Sequence, residues 1–176
     1  MGFKNLFWAF IFLFDLNFNG FDILPDIIGY ILFYRGLKML SYRNANFAKG
    51  KVLAIPLIFL SILDIFHVTI PINEIGNVQF GGVVFLIGIV NTIINLMMIY
   101  RICMGIAEEA RRINDNELEL KANNEWTLYL IVNITLLVLI IIPALMGILF
   151  IAIFIFTIAV YFLMLGLMNM ASNRLE

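Results

Sequence analysis

The sequence predicts an all-α fold: a polytopic membrane helix bundle of six transmembrane helices with both termini cytoplasmic. Three observations carry that prediction. The 176-residue chain is 63% hydrophobic and 13% charged, where soluble domains run nearer half apolar and a quarter charged. Its mean hydropathy is +1.03. Its uncharged stretches, read as spans, leave all eleven Lys and Arg residues on one side, as the positive-inside rule requires.

The spans follow in order. The first covers Phe3 to Phe18 and the second Ile23 to Leu40, with Arg35 and Lys38 placed to snorkel toward the inner surface. The third runs from Val52 to Ile70 and the fourth from Phe80 to Ile106. No residue from Trp126 to Ser172 is charged, and about 20 helical residues cross the hydrocarbon. That stretch therefore holds two spans, divided at Pro143 and Gly147. The loops at 15–26, 71–79 and 143–147 contain no Lys or Arg. Spans one and two are the shortest, and a re-entrant hairpin competes with two full crossings there. The N-terminal apolar run leads into Asp15 and Asn17 with no small-residue cleavage site, which reads as a retained span. Trp8, Tyr34, Tyr42, Tyr100, Trp126 and Tyr129 fall where an inner aromatic belt would lie.

Residues 1–176 read as one transmembrane domain with a polar cytoplasmic loop or helix at 104–125. In that segment Glu108 with Arg112, and Glu117 with Lys121, stand at i,i+4. Asn114 and Glu117 resemble a capping arrangement. The segment is a solvated helical extension or a docking surface for a protein partner on the cytoplasmic side. Net charge is −1, so no global field points to nucleic acid. The other expected partner is the lipid bilayer, in a cell membrane.

The outer turn from Asp15 to Asp26 carries the most specific chemistry. Asp15, Asn17, Asn19 and Gly20 match positions 1, 3, 5 and 6 of a calcium-binding EF-hand loop, with Asp26 at position 12. Asp22 stands at position 8, where that loop places an apolar residue. These residues form a candidate calcium site; no other cofactor is expected. The competing reading is turn and cap chemistry, with an Asn19-Gly20 turn, Asp22 capping span two, and Pro25 and Asp26 in its first turn.

Within the membrane, Asp64 and His67 stand at i,i+3 in span three. Asn91, Asn133 and Thr157 share a depth about 15 Å from the outer ends of spans four to six. Gly88, Asn91, Thr92 and Asn95 form one helical stripe. Thr157, Tyr161, Met164 and Met168 form another. Polar groups in hydrocarbon need partners, so these stripes either line one cavity or join helices as hydrogen-bonding glue. Asp64, His67, Asn91, Asn95, Asn133, Thr157 and Tyr161 are the candidate solute or ion pathway. A single His and a single Cys lie on different spans and give no nucleophile–base pair. No hydrolase or phosphate-binding motif is present. The chain is therefore expected to be no enzyme. It is expected to bind or transport a small solute or cation through an outward-facing polar site, or else to serve as a non-catalytic membrane subunit of another protein.

The stretch Asp22-Ile-Leu-Pro-Asp-Ile-Ile-Gly-Tyr30, with Gly36-Leu37 after it, resembles small uncharacterised multi-pass membrane proteins of low-GC Gram-positive bacteria. Size and span count are also similar to the substrate-binding subunits of energy-coupling-factor vitamin transporters, which implies solute capture. Those subunits carry an Ala-x-x-x-Ala docking motif in span one; here span one offers Ala9 alone.

Overall fold

The computed structural model describes residues 1–13, 17–18, 21–22, 26–65, 78–141 and 146–176, with main chain only in the two strands and at 63–65, 78–85, 140–141, 146–148 and 150. The described residues form six helices and one small hairpin: α1 (Gly2–Phe12), β1 (Asn17–Phe18), β2 (Phe21–Asp22), α2 (Asp26–Leu40), α3 (Ala45–Ile65), α4 (Val78–Arg112), α5 (Asn116–Ile141) and α6 (Met146–Leu175). Three of them, α3, α4 and α6, are long and apolar enough to cross a membrane.

Each helix packs on the next in sequence, and α6 returns to α1, closing a ring; α4 also touches α6 across it. The outward face of that ring is apolar. Val52, Ile55 and Phe59 on α3, Leu86, Val90 and Ile93 on α4, and Ile151, Ile155 and Phe162 on α6 are all exposed. Water would penalise such a surface by roughly 25 cal/mol per Å², so this belt is suited to lipid.

Helix lengths refine the sequence picture. α1 has 11 residues and α2 has 15, about 16 and 22 Å of rise against roughly 30 Å of hydrocarbon. Span one, expected to reach Phe18, stops at Phe12 because the chain turns into the hairpin, where Asn17 pairs with Asp22 and Phe18 with Phe21. Among the described residues, the regular structure is helical apart from this hairpin. α3 and α4 instead overrun their expected spans at the inner end, starting at Ala45 and ending at Arg112.

α1 and α2 pack closely because Gly36 lets them. A Cβ there would lie 2.8 Å from the Gly2 carbonyl and 2.7 Å from Leu6, inside any real contact distance. Rings then fill the seam, with Phe10 meeting Phe33 edge-on at 5.0 Å. Most large, fully buried side chains crowd the end of the bundle where the termini meet: Phe3, Leu37, Phe47, Ile106, Leu118 and Met168 among them. Met164 and Met168 are core packing, as their helical spacing suggested.

That end is also where the described charges gather. Asn44 caps α3, accepting the N–H groups of Asn46 at 3.0 Å and Phe47 at 3.2 Å. Its amide nitrogen crosses to α4, donating to the Gly105 carbonyl at 3.1 Å and Glu109 at 3.2 Å. Glu108 pairs with Arg112 at 3.0 Å, as i,i+4 spacing predicted. Glu117 does not pair with Lys121. Arg174, arriving from α6, takes Glu117 at 2.8 Å and Asp115 at 3.0 Å, while Lys121 Nζ stays 3.8 Å from Glu125.

The α4–α5 corner also differs from expectation. Asn114 adopts a left-handed φ of 57° and ends α4. Asp115 N–H bonds Ala110 O at 2.9 Å and Asn114 N–H bonds Arg111 O at 3.1 Å, the Schellman pattern. Asp115, rather than Asn114, caps α5, accepting Leu118 N–H at 3.1 Å. That bond, reinforced by Arg174, holds the Asp115 carboxyl below its usual range.

Candidate functional site

Away from the packed end where the termini meet, the ring opens into a polar cavity of about 390 Å³. Asn91, Thr92 and Asn95 line it from α4, Tyr129 and Asn133 from α5, Asp26 and Tyr30 from α2, and Tyr161 from α6. An adjoining pocket of about 270 Å³ shares Leu13, Tyr129, Asn133 and Tyr161 and adds Thr157, with apolar walls including Leu136 and Phe154. Asn91, Asn133 and Thr157, placed at one depth by sequence spacing, therefore line two joined pockets.

The hydrogen bonds distinguish lining from glue. Thr92 donates to Gly88 O at 2.9 Å, Asn133 to Tyr129 O at 2.9 Å and Thr157 to Ile153 O at 2.8 Å, each on its own helix. Asn95 alone in this set ties helices together: it donates to the Tyr30 hydroxyl at 3.1 Å and accepts from the Tyr129 hydroxyl at 2.9 Å. The Tyr30–Asn95–Tyr129 bridge joins α2, α4 and α5. The Tyr161 hydroxyl donates to Leu13 O at 2.9 Å, satisfying a carbonyl at the end of α1.

Asn91 stands apart. Its Oδ1 is buried without a hydrogen-bond partner, and such an acceptor costs about 1–3 kcal/mol when left unmet. Gly88, on the same stripe, faces open space.

Tyr30 and Tyr129 were missed as site residues. Tyr129 was assigned to the aromatic belt by its nearness to Trp126, yet it is only 6% exposed. The available signal was helical phase: Tyr129 lies four residues before Asn133 and shares its face. Trp126 instead meets the Tyr100 ring, tilted by 60° at 5.1 Å.

Among the other sequence-derived candidates, Asp15, Asn19 and His67 lie outside the described residues. Asn17 and Asp22 are placed by backbone alone, as is Asp64 within α3. Ser61, one turn before Asp64, is buried and bonds Ile58 O at 2.9 Å. Asp22 sits in β2, and Asp26 opens α2, where the helix dipole favours a carboxylate. Asn17 and Asp22 are cross-strand partners. Among the described residues, no three His, Cys, Asp or Glu side chains group as a metal site.

The chain matches no protein-family model, no curated protein and no solved structure.

Proposed function

We propose that this is a six-span membrane protein with both termini in the cytoplasm, which binds or transports a small solute through a cavity open to the outer side. The observation that carries this reading is the pair of adjoining pockets lined by Asn91, Asn95, Asn133 and Thr157. The dense inner end beneath it supports an outward-facing form. Its size suits a small molecule, since ligand sites run about 300–1,000 Å³.

The lining also selects. Asp26 contributes a carboxylate, and no Lys or Arg lines the cavity among the described residues. A neutral or singly positive solute carrying N–H or O–H donors fits; an anion does not. The role is binding rather than catalysis, because amides and phenols position a solute but supply no nucleophile–base pair. The inner charges favour no partner-docking role: Arg111, Arg112 and Arg174 are each engaged by acids of the same chain.

The test is ligand-dependent thermal stabilisation of the purified protein. Small amines, amides and polyols should raise Tm while matched carboxylates should not, and Asn133→Leu should abolish the gain. Stabilisation by anions, or a gain that survives Asn133→Leu, would overturn the reading.

A further inference from the structure

We propose that Glu125 is a proton-binding site at the inner end of the bundle, and that its charge state acts on the face of α5 that lines the cavity. The second half rests on the solute-binding reading; the first does not.

Glu125 is the last residue of the polar inner segment, immediately before span five, yet it is only 3% exposed. Its Oε2 is buried without a hydrogen-bond partner. Its Oε1 lies 3.8 Å from Lys121 Nζ, too far for a hydrogen bond. Lys121 leans instead toward α6, its Nζ 3.8 Å from where a Cβ on Gly166 would lie. A buried carboxylate so poorly compensated favours its neutral form. Burial pushes Glu125 up to about 7, against the pull of Lys121.

The surroundings supply no competing function. On α4, Cys103 lies within electrostatic reach of the carboxylate. On α5, Lys121 is the charged neighbour. On α6, Arg174 is committed to Asp115 and Glu117, and Tyr161 to Leu13 O. One carboxylate beside an ammonium suits no hard metal ion, which needs several oxygen ligands. The ligand is a proton: the carboxylate takes H⁺ from the inner aqueous phase and becomes a neutral acid, and Lys121 keeps its charge.

Glu125, Tyr129 and Asn133 stand at successive i,i+4 positions on α5, about 6 Å apart per step. Tyr129 holds the Asn95 bridge and Asn133 lines both pockets. Charging Glu125 changes the pull of Lys121 and the solvation of this same helix face one turn below the bridge.

Two readouts test the proposal. Infrared difference spectra between pH 5.5 and 8.5 should show a protonated carboxyl band lost as pH rises through about 7 and missing in Glu125→Gln. A parent band that persists in Glu125→Gln, or no band, would overturn the proton site. For the coupling, Asn133→Cys in a Cys103→Ala background is labelled by a membrane-impermeant methanethiosulfonate at pH 6 and 8. Thiolate formation raises the rate with pH in any case, so the comparison is with the same protein carrying Glu125→Gln. A pH ratio altered severalfold by Glu125→Gln supports coupling; an identical ratio overturns it. Absence of labelling from outside at either pH would sink the outward-facing cavity, while the infrared band still decides the proton site.

Discussion

Asn91 and Asn95 lie one helical turn apart on α4, yet replacing each with leucine should move stability in opposite directions. Asn95 holds two bonds between helices, to Tyr30 at 3.1 Å and Tyr129 at 2.9 Å. Bonds of this kind in membrane bundles average about 0.6 kcal/mol, so losing both costs about 1.2 kcal/mol. Buried hydroxyls left short of a partner push the loss toward 3 kcal/mol. Asn91→Leu instead removes an acceptor already unmet, so it should leave stability unchanged or raise it by about 1 kcal/mol. Reversible denaturant unfolding in mixed micelles reads both values, and solute-induced stabilisation should vanish in Asn91→Leu despite its sound fold. A destabilised Asn91→Leu, or an unaffected Asn95→Leu, would refute the division of this stripe into lining and bridge.

Other perturbations have definite outcomes. Gly36→Ala drives a methyl to 2.8 Å from the Gly2 main-chain oxygen; the strain should cost about 1–3 kcal/mol, read as a lower unfolding midpoint. Asn44→Ala removes the α3 cap and its bonds to Gly105 and Glu109, for a loss of about 1–3 kcal/mol in the same assay. Glu125 binds its proton more tightly when folded, rising from 4.5 to about 7. Its stabilising protonation is complete below about 4.5 and lost as pH climbs through about 7. The parent should weaken by on the order of 3 kcal/mol across that window, and Glu125→Gln should remove the slope in a pH series of melts. If the outer turn binds calcium, millimolar calcium should raise Tm and Asp15→Ala should abolish the rise; no rise in the parent leaves the turn a structural role.

Much of the architecture was legible because charge is so costly in hydrocarbon that its absence marks a helix. α3, α4 and α6 emerge directly from uncharged stretches. Their inner ends do not, because helices continue into water wherever caps and ion pairs sustain them, as Asn44 and Arg112 do here. Choices between equivalent neighbours were also hidden. Spacing allowed Glu117 to pair with Lys121, but Arg174 lies 57 residues away in sequence and won it through tertiary contact. The site was half legible. Helical phase grouped Asn91 with Asn95 and Thr157 with Tyr161, depth added Asn133, and all of them line the two pockets. Tyr30 was invisible because α2 carries few polar landmarks to set its phase, and Glu125 because its charge made it look solvated.

The six-span arrangement with its basic end in the cytoplasm is tested most directly by side-specific cysteine labelling in a Cys103→Ala background. Tyr42, 89% exposed at the inner end, and Asn77, the residue before α4 in sequence, are each replaced by cysteine. Asn77→Cys should react with an impermeant reagent added to intact cells, and Tyr42→Cys only after permeabilisation. Labelling of both from the same side would contradict the account.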